Sequence, residues 1–334
     1  MRAVFDSIPT LRDVVSRTQP RGLTPADAAP VDPAHAAIVA ALLKPAASIS
    51  PKYFYDEQGS ALFEAITEVP EYYVTRTERA VMVRHHESIA SAVGACSSII
   101  ELGAGSCKKA MSLCELLDPD HLVVVDISGD FLATHARALQ AGLPWMQVHQ
   151  VVADITRPFE LPPELPAQRR LVFYPGSSIG NFEPAEACAL LGRARGVSGD
   201  DGALLLGVDL VKDPQILQAA YDDHAGVTAA FNRNVLKHLN TLIGSDFEPM
   251  QWRHVALFNA QRSRVEMHLE ATQELEVRWT GGGRRFAAGE RIHTENSYKY
   301  TPDRLQDLLA TAGYSRVRCW TDARGWFAVV LAQP

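Results

Sequence analysis

Ser98-Ile-Ile-Glu-Leu-Gly-Ala-Gly-Ser-Cys-Lys-Lys109 is the stretch on which the reading of this chain turns. Its first five residues suit a buried strand, and Lys108 to Leu117 reads as a helix. Between them Gly103 and Gly105 allow a sharp backbone turn and leave no side chain between the peptide and a ligand. Working outward, Leu122-Val-Val-Val-Asp126 supplies a second strand, ending in an acid placed to meet ribose hydroxyls. A dinucleotide fingerprint would have a third glycine where this chain has Lys108.

Glu101 before the turn, E-x-G-x-G without the third glycine, and Asp126 together fit an S-adenosylmethionine pocket better than NAD. Further strands are expected at Val148 to Ala153, Arg169 to Tyr174 and Ala203 to Val208, with a helix from Phe131 to Gln140. This alternation predicts an α/β fold, a Rossmann-like doubly wound sheet whose carboxyl edge lines a ligand crevice. Asp154-Ile155 follows the third strand, where the acid could meet an adenine amine or simply shape a turn. After the fourth comes Tyr174-Pro-Gly-Ser-Ser-Ile-Gly-Asn-Phe182, in which Asn181 offers both a donor and an acceptor.

Composition narrows the partner. The 334 residues are enough for a substantial core, and 47% hydrophobic with 21% charged residues is the balance of a soluble globular protein. A net charge of -7 without a Lys/Arg run argues against a nucleic-acid surface, so a small-molecule partner is expected. Five cysteines without C-x-x-C indicate neither a disulfide framework nor a zinc site. Cys107, in the ligand turn, reads as a small packing residue before it reads as a nucleophile. With no apolar run of membrane length and no signal peptide, the expectations are no membrane partner, cytoplasmic residence and a monomer.

The chain divides into three parts. Residues 1–76 form an Ala/Pro-rich arm, a short helix from Ala34 to Leu43 and an aromatic segment from Tyr53 to Tyr73, which is either a satellite core or a source of hydroxyls for a pocket. Residues 77–213 and 291–334 form the core, with a helix from Thr77 to Val93 and a closing antiparallel pair. Residues 214–290 are an inserted α+β substrate-binding subdomain: a helix over Gln215 to His238, strands over Trp252–Asn259, Arg264–Glu270 and Glu274–Thr280, and a hairpin at Gly281-Gly-Gly283.

Several tracts together resemble one family, the histidine-specific S-adenosylmethionine-dependent N-methyltransferases of ergothioneine biosynthesis. They include Phe54-Tyr-Asp-Glu-Gln-Gly-Ser60, Pro70-Glu-Tyr-Tyr73, Glu101-Leu-Gly-Ala-Gly105, Pro175 to Asn181, Gly207-Val-Asp-Leu-Val-Lys-Asp213, Ala230-Phe-Asn-Arg-Asn234 and Thr294-Glu-Asn-Ser297. The resemblance implies S-adenosyl-L-methionine as cofactor, free L-histidine as substrate, and trimethylation of its α-amino group to hercynine. It places cofactor contacts on Tyr55, Gly103, Lys109, Asp126, Asp154 and Ile155, and substrate contacts on Tyr72, Asn181, Tyr221, Met267, Glu295 and Ser297. Tyr72, or a bound water, is the candidate for handling the amine proton. Asn181 and Tyr221 would hold the carboxylate, while Glu295 and Ser297 would read the imidazole. The open alternatives are another free amino acid such as tryptophan, or a NAD-binding or non-catalytic nucleotide-binding protein.

Overall fold

A computed structural model describes residues 32–334, so the Ala/Pro-rich arm lies outside the described residues. In chain order the elements before the first strand are α1 (Pro33–Leu42), a 3-10 turn over Pro51–Phe54, α2 (Glu57–Glu68) and α3 (Tyr73–Val93). The central run is β1 (Ser98–Leu102), α4 (Lys108–Leu117), β2 (His121–Asp126), α5 (Gly129–Gly142), β3 (Gln147–Val152), β4 (Arg170–Tyr174), α6 (Pro184–Ser198) and β5 (Ala203–Asp209). Then come α7 (Pro214–Ala219), α8 (Val227–Ile243), β6 (Trp252–Asn259), β7 (Arg264–Ala271), β8 (Leu275–Trp279), β9 (Gly282–Phe286) and β10 (Arg291–Tyr298). The chain closes with α9 (Pro302–Thr311), β11 (Arg316–Thr321) and β12 (Phe327–Gln333).

Seven strands form one sheet in the order β11-β12-β5-β4-β1-β2-β3. The five from β5 to β3 are parallel, while β12 runs antiparallel to both β5 and β11. Both faces of this sheet are covered, so the central strands are buried and mostly apolar along their length rather than alternating. Ile99, Val124, Phe173 and Leu205 face one layer, and Ile100, Val125, Val172 and Leu206 face the other. Strand order reverses between β1 and β4, which places the glycine turn after β1 and the Tyr174–Phe182 tract at the topological switch point.

Three expectations need correction. The core does not resume at residue 291: β10 pairs antiparallel with β7 in a separate three-stranded sheet, β10-β7-β6, so 291–298 belongs structurally with the insertion. The helix expected from Thr77 starts at Tyr73 and packs on β12, so the break placed after residue 76 cuts through it. Gln215 to His238 is two helices, because Asp223 accepts from the backbone N–H groups of Val227 and Thr228 and so starts α8 afresh. The predicted hairpin is present, with Trp279 opposite Gly282.

The insertion is joined to the core by apolar packing. Phe231, Trp252 and Met267 lie in the same buried cluster as Ile99 and Val124. The tract Phe54 to Ser60 is part of the joint. Asp56 Oδ1 accepts from Gly59 N at 2.7 Å to cap α2, and from Asn234 Nδ2 on α8 at 2.8 Å. Phe54 stacks on Phe231 with centroids 4.6 Å apart.

Candidate active site

Beyond Leu102 the backbone folds over the end of β2, where Gly103 N and Ala104 N both donate to Val125 O, at 2.8 and 3.1 Å. The turn needs three left-handed residues, Gly103, Gly105 and Cys107, with φ of 66, 51 and 58°. Two are glycine; the third is Cys107, whose buried thiol is pushed well above its ordinary range by desolvation. It is therefore a packing residue rather than a nucleophile. Asp126 locks the turn from β2, its Oδ2 accepting from Gly105 N at 3.0 Å and its Oδ1 from Ser128 N at 2.9 Å.

Ala153 N donates to Asp126 O at 3.0 Å, which sets Asp154 and Ile155 beside the end of β2. Burial opposes ionisation of Asp154, but hydrogen bonds from Thr156 and Lys52 outweigh it and hold the carboxyl below its usual range. Lys52 Nζ lies 3.2 Å from Asp154 Oδ2, and Ser128 Oγ donates to Tyr55 O at 2.7 Å. The 51–55 segment is thereby tied across the carboxyl ends of β2 and β3.

These residues suit S-adenosylmethionine. A Cβ built on Gly103 or Gly105 would meet nothing within 4 Å, so the turn faces open space. Behind it Glu101 is 1% exposed, and its Oε2 has no partner among the described residues. Burial raises this carboxyl to about 8 despite the opposing charge of Lys109. A bare glycine edge between a buried acid and two acids at strand ends matches a cationic amino-acid end joined to a nucleoside. Lys109 itself is engaged by Glu78, with Nζ 2.6 Å from Oε2, while Glu78 Oε1 accepts from Gly176 N at 2.8 Å. Glu78 gave no sequence signal, because an acid within an amphipathic helix reads as surface; here it is 4% exposed. Gly207 makes room for it, since a Cβ there would stand 2.2 Å from Glu78 Oε1.

The six residues to which the resemblance assigns the substrate converge. Tyr72, Asn181, Tyr221, Met267, Glu295 and Ser297 all line one cavity, together with Tyr55. Each arrives from a different construction. Glu295 and Ser297 are two apart on β10 and share a face, and Met267 pairs directly with Glu295 from β7. Asn181 ends a 3-10 turn that packs backbone to backbone on β10; a Cβ on Gly180 would stand 2.8 Å from Tyr298 O. Tyr55, Phe63 and Tyr72 reach the cavity from the aromatic segment, while Phe54 and Tyr73 are core. That segment is thus part of the main core, not a satellite of it, and also a source of pocket hydroxyls. The other assigned cofactor residues, Gly103, Lys109, Asp126, Asp154 and Ile155, do not line this cavity and lie on the turn and the ends of β2 and β3.

The electrostatics of the cavity are set by burial. The side chains of Tyr72, Asn181 and Glu295 make no hydrogen bond with any described residue. Desolvation pushes the Glu295 carboxyl up to about 8, with Lys299 opposing. The phenols of Tyr55 and Tyr72 are raised well above their ordinary value, in each case chiefly by burial, and stay protonated. Below the cavity Asp209 is fully buried among Tyr73, Lys212 and Lys299. The Gly207–Asp213 tract is legible in the sequence without a role for Asp209, and no sequence signal marks Lys299.

Comparison with known proteins agrees with this geometry. The family model described as histidine-specific methyltransferase, SAM-dependent, matches residues 34–334. Histidine N-alpha-methyltransferase of Mycolicibacterium smegmatis is 38% identical over 291 residues, covering 85% of this chain and 90% of that protein. Its Mycobacterium tuberculosis counterpart is 38% identical over 302 residues, covering 88% and 93%. Ergothioneine biosynthesis protein 1 of Neurospora crassa is 30% identical over 287 residues, 84% of this chain but 32% of that longer protein. A glycine turn with acids at the strand ends, a buried cavity lined by tyrosines and a carboxyl, and a family match over nearly every described residue lead to one conclusion: this chain belongs to the histidine-specific, S-adenosylmethionine-dependent methyltransferase family.

Proposed function

We propose that the protein methylates the α-amino nitrogen of free L-histidine, three times in succession, to give hercynine, as expected of a first step towards ergothioneine. The observation that carries the reading is the pairing of Glu295 and Ser297 on one face of β10, with Met267 beside Glu295 on β7. An imidazole presents one donor and one acceptor, and this wall holds a carboxyl and a hydroxyl with an apolar side chain alongside. Indole has no ring acceptor and would leave the second polar group unpaired, which costs about 1–3 kcal/mol.

S-adenosylmethionine supplies an electrophilic methyl group on a sulfonium. The residues of this chain align the amine, exclude water and admit only the neutral nitrogen. Tyr72 and Asn181 are among the free polar side chains of the cavity, with Tyr55 and Thr228, and would orient that nitrogen and the carboxylate. Because burial keeps the Tyr72 phenol protonated, Tyr72 can hold the amine through its hydroxyl oxygen but does not take the proton as a phenolate. On this reading water takes the proton, before the first transfer and again after each of the first two.

The test is mass spectrometry of histidine incubated with the protein and S-adenosylmethionine. Products carrying one, two and three added methyl groups are expected, with the trimethylated species accumulating. Methylation of tryptophan in preference to histidine, or of a ring nitrogen in place of the amine, would overturn the reading.

A further inference from the structure

The wall of the cavity contains a proton arrangement that restricts what the bound amino acid can present. Lys299 is 1% exposed, with an ion pair to Asp209 and hydrogen bonds to two hydroxyls. Nζ lies 2.8 Å from Asp209 Oδ2, 2.9 Å from the Tyr221 hydroxyl and 2.8 Å from Ser297 Oγ. An ammonium donates and never accepts. Both hydroxyl oxygens therefore accept from Lys299, and neither can donate back to it. The two hydroxyls are also 2.6 Å apart, so one donates to the other. Of their two hydrogens, one is used inside the pair, and a single hydrogen is left for the cavity that both residues line.

Asp209 already has Lys212, with Nζ 2.6 Å from its Oδ1, and it accepts from the Tyr73 hydroxyl at 2.7 Å. Lys299 adds a second ammonium to the same carboxylate, and the buried Glu295 carboxyl is its other acidic neighbour.

We propose that Lys299 is a positioning residue for substrate selection: it fixes the Tyr221–Ser297 hydroxyl pair so that it offers the ligand one hydrogen, and therefore demands an acceptor atom there. With Glu295 on the same strand face, the amino acid taken is one whose ring carries an unprotonated nitrogen as well as an N–H, a neutral azole. This rests on the function proposed above and sharpens it. Tyr221 and Ser297 cannot donate to the carboxylate and the ring at once, so they act as one reader rather than two.

The test is a double-mutant cycle on the full chain. Lys299→Met retains the matched Asp209–Lys212 pair. It should raise the KM for histidine at least tenfold, while calorimetry finds S-adenosylhomocysteine affinity within twofold of wild type. In a Tyr221→Phe/Ser297→Ala background, which has no hydroxyl to orient, the same substitution should change the KM by less than twofold. An equal loss in both backgrounds overturns the proposal, because Lys299 would then act on the fold or on Glu295 directly. If Lys299→Met does not fold, Lys299→Gln, whose amide has two N–H donors in place of three and an oxygen that can accept a hydroxyl hydrogen, is run through the same cycle with the same criteria. Should wild type fail to methylate histidine, the function falls separately, and the cycle is read on the dissociation constant of whichever amino acid the protein binds. Coupling then still supports the hydroxyl-orienting role, and additivity still overturns it.

Discussion

Glu295 shows how one buried carboxyl ties recognition to stability. Its proton is held to about 8, against 4.5 for a free glutamate side chain. Between these values the unfolded chain has released the proton and the folded chain has not. Each rise of one pH unit in that window therefore removes about 1.4 kcal/mol of stability through this group, and above the upper value the loss stops growing. Glu101 acts with the same sign over the same window. Glu295→Gln should thus gain stability relative to wild type as the pH is raised from about 5 to about 8. Thermal melts of both proteins without ligand across that range check this, and a constant difference in melting temperature would refute it. The period of a strand by itself places Glu295 and Ser297 on one face of β10. It cannot show that Ser297 and Tyr221 share one hydroxyl hydrogen, because 76 residues separate them.

At the scale of elements, the site depends on backbone segments that touch. The 3-10 turn carrying Asn181 rests on β10 because Gly180 has no side chain, and an added Cβ would stand 2.8 Å from Tyr298 O and 3.1 Å from Tyr298 N. Gly180→Ala should cost about 1–3 kcal/mol in urea unfolding and raise the KM for histidine, since Asn181 is pushed away from Glu295 and Ser297. Unchanged stability and KM would mean that the two segments separate freely. Gly59 is under a tighter constraint, its Cβ direction lying 1.7 Å from Phe54 O. Both glycines were visible as members of tracts. The partner each one accommodates was not, because a glycine in a sequence records that space is needed without recording what fills it.

For the whole molecule, the apolar cluster on one face of the seven-stranded sheet continues into the insertion without a break, from Ile99 and Val124 to Phe231, Trp252 and Met267. The two sheets should therefore unfold together. Urea denaturation followed by tryptophan fluorescence, which samples Trp252 and Trp279 in the insertion, Trp320 and Trp326 near the closing strands and the exposed Trp145 before β3, should coincide with the loss of far-UV circular dichroism. Two separated transitions would show that the insertion folds on its own. No helix among the described residues is long and apolar enough to cross a membrane. The sequence by itself determined the alternating core, the glycine turn and the acids at the strand ends, because hydrophobic periodicity and turn chemistry are local and are written residue by residue. Only the tertiary structure decided that β10 leaves the core for the insertion, that Glu78 is buried under Lys109, and that Asp209 and Lys299 lie beneath the cavity. Those facts depend on which distant segments meet, and burial, which turns a surface-like acid or lysine into an organised charge, comes into being only when they do.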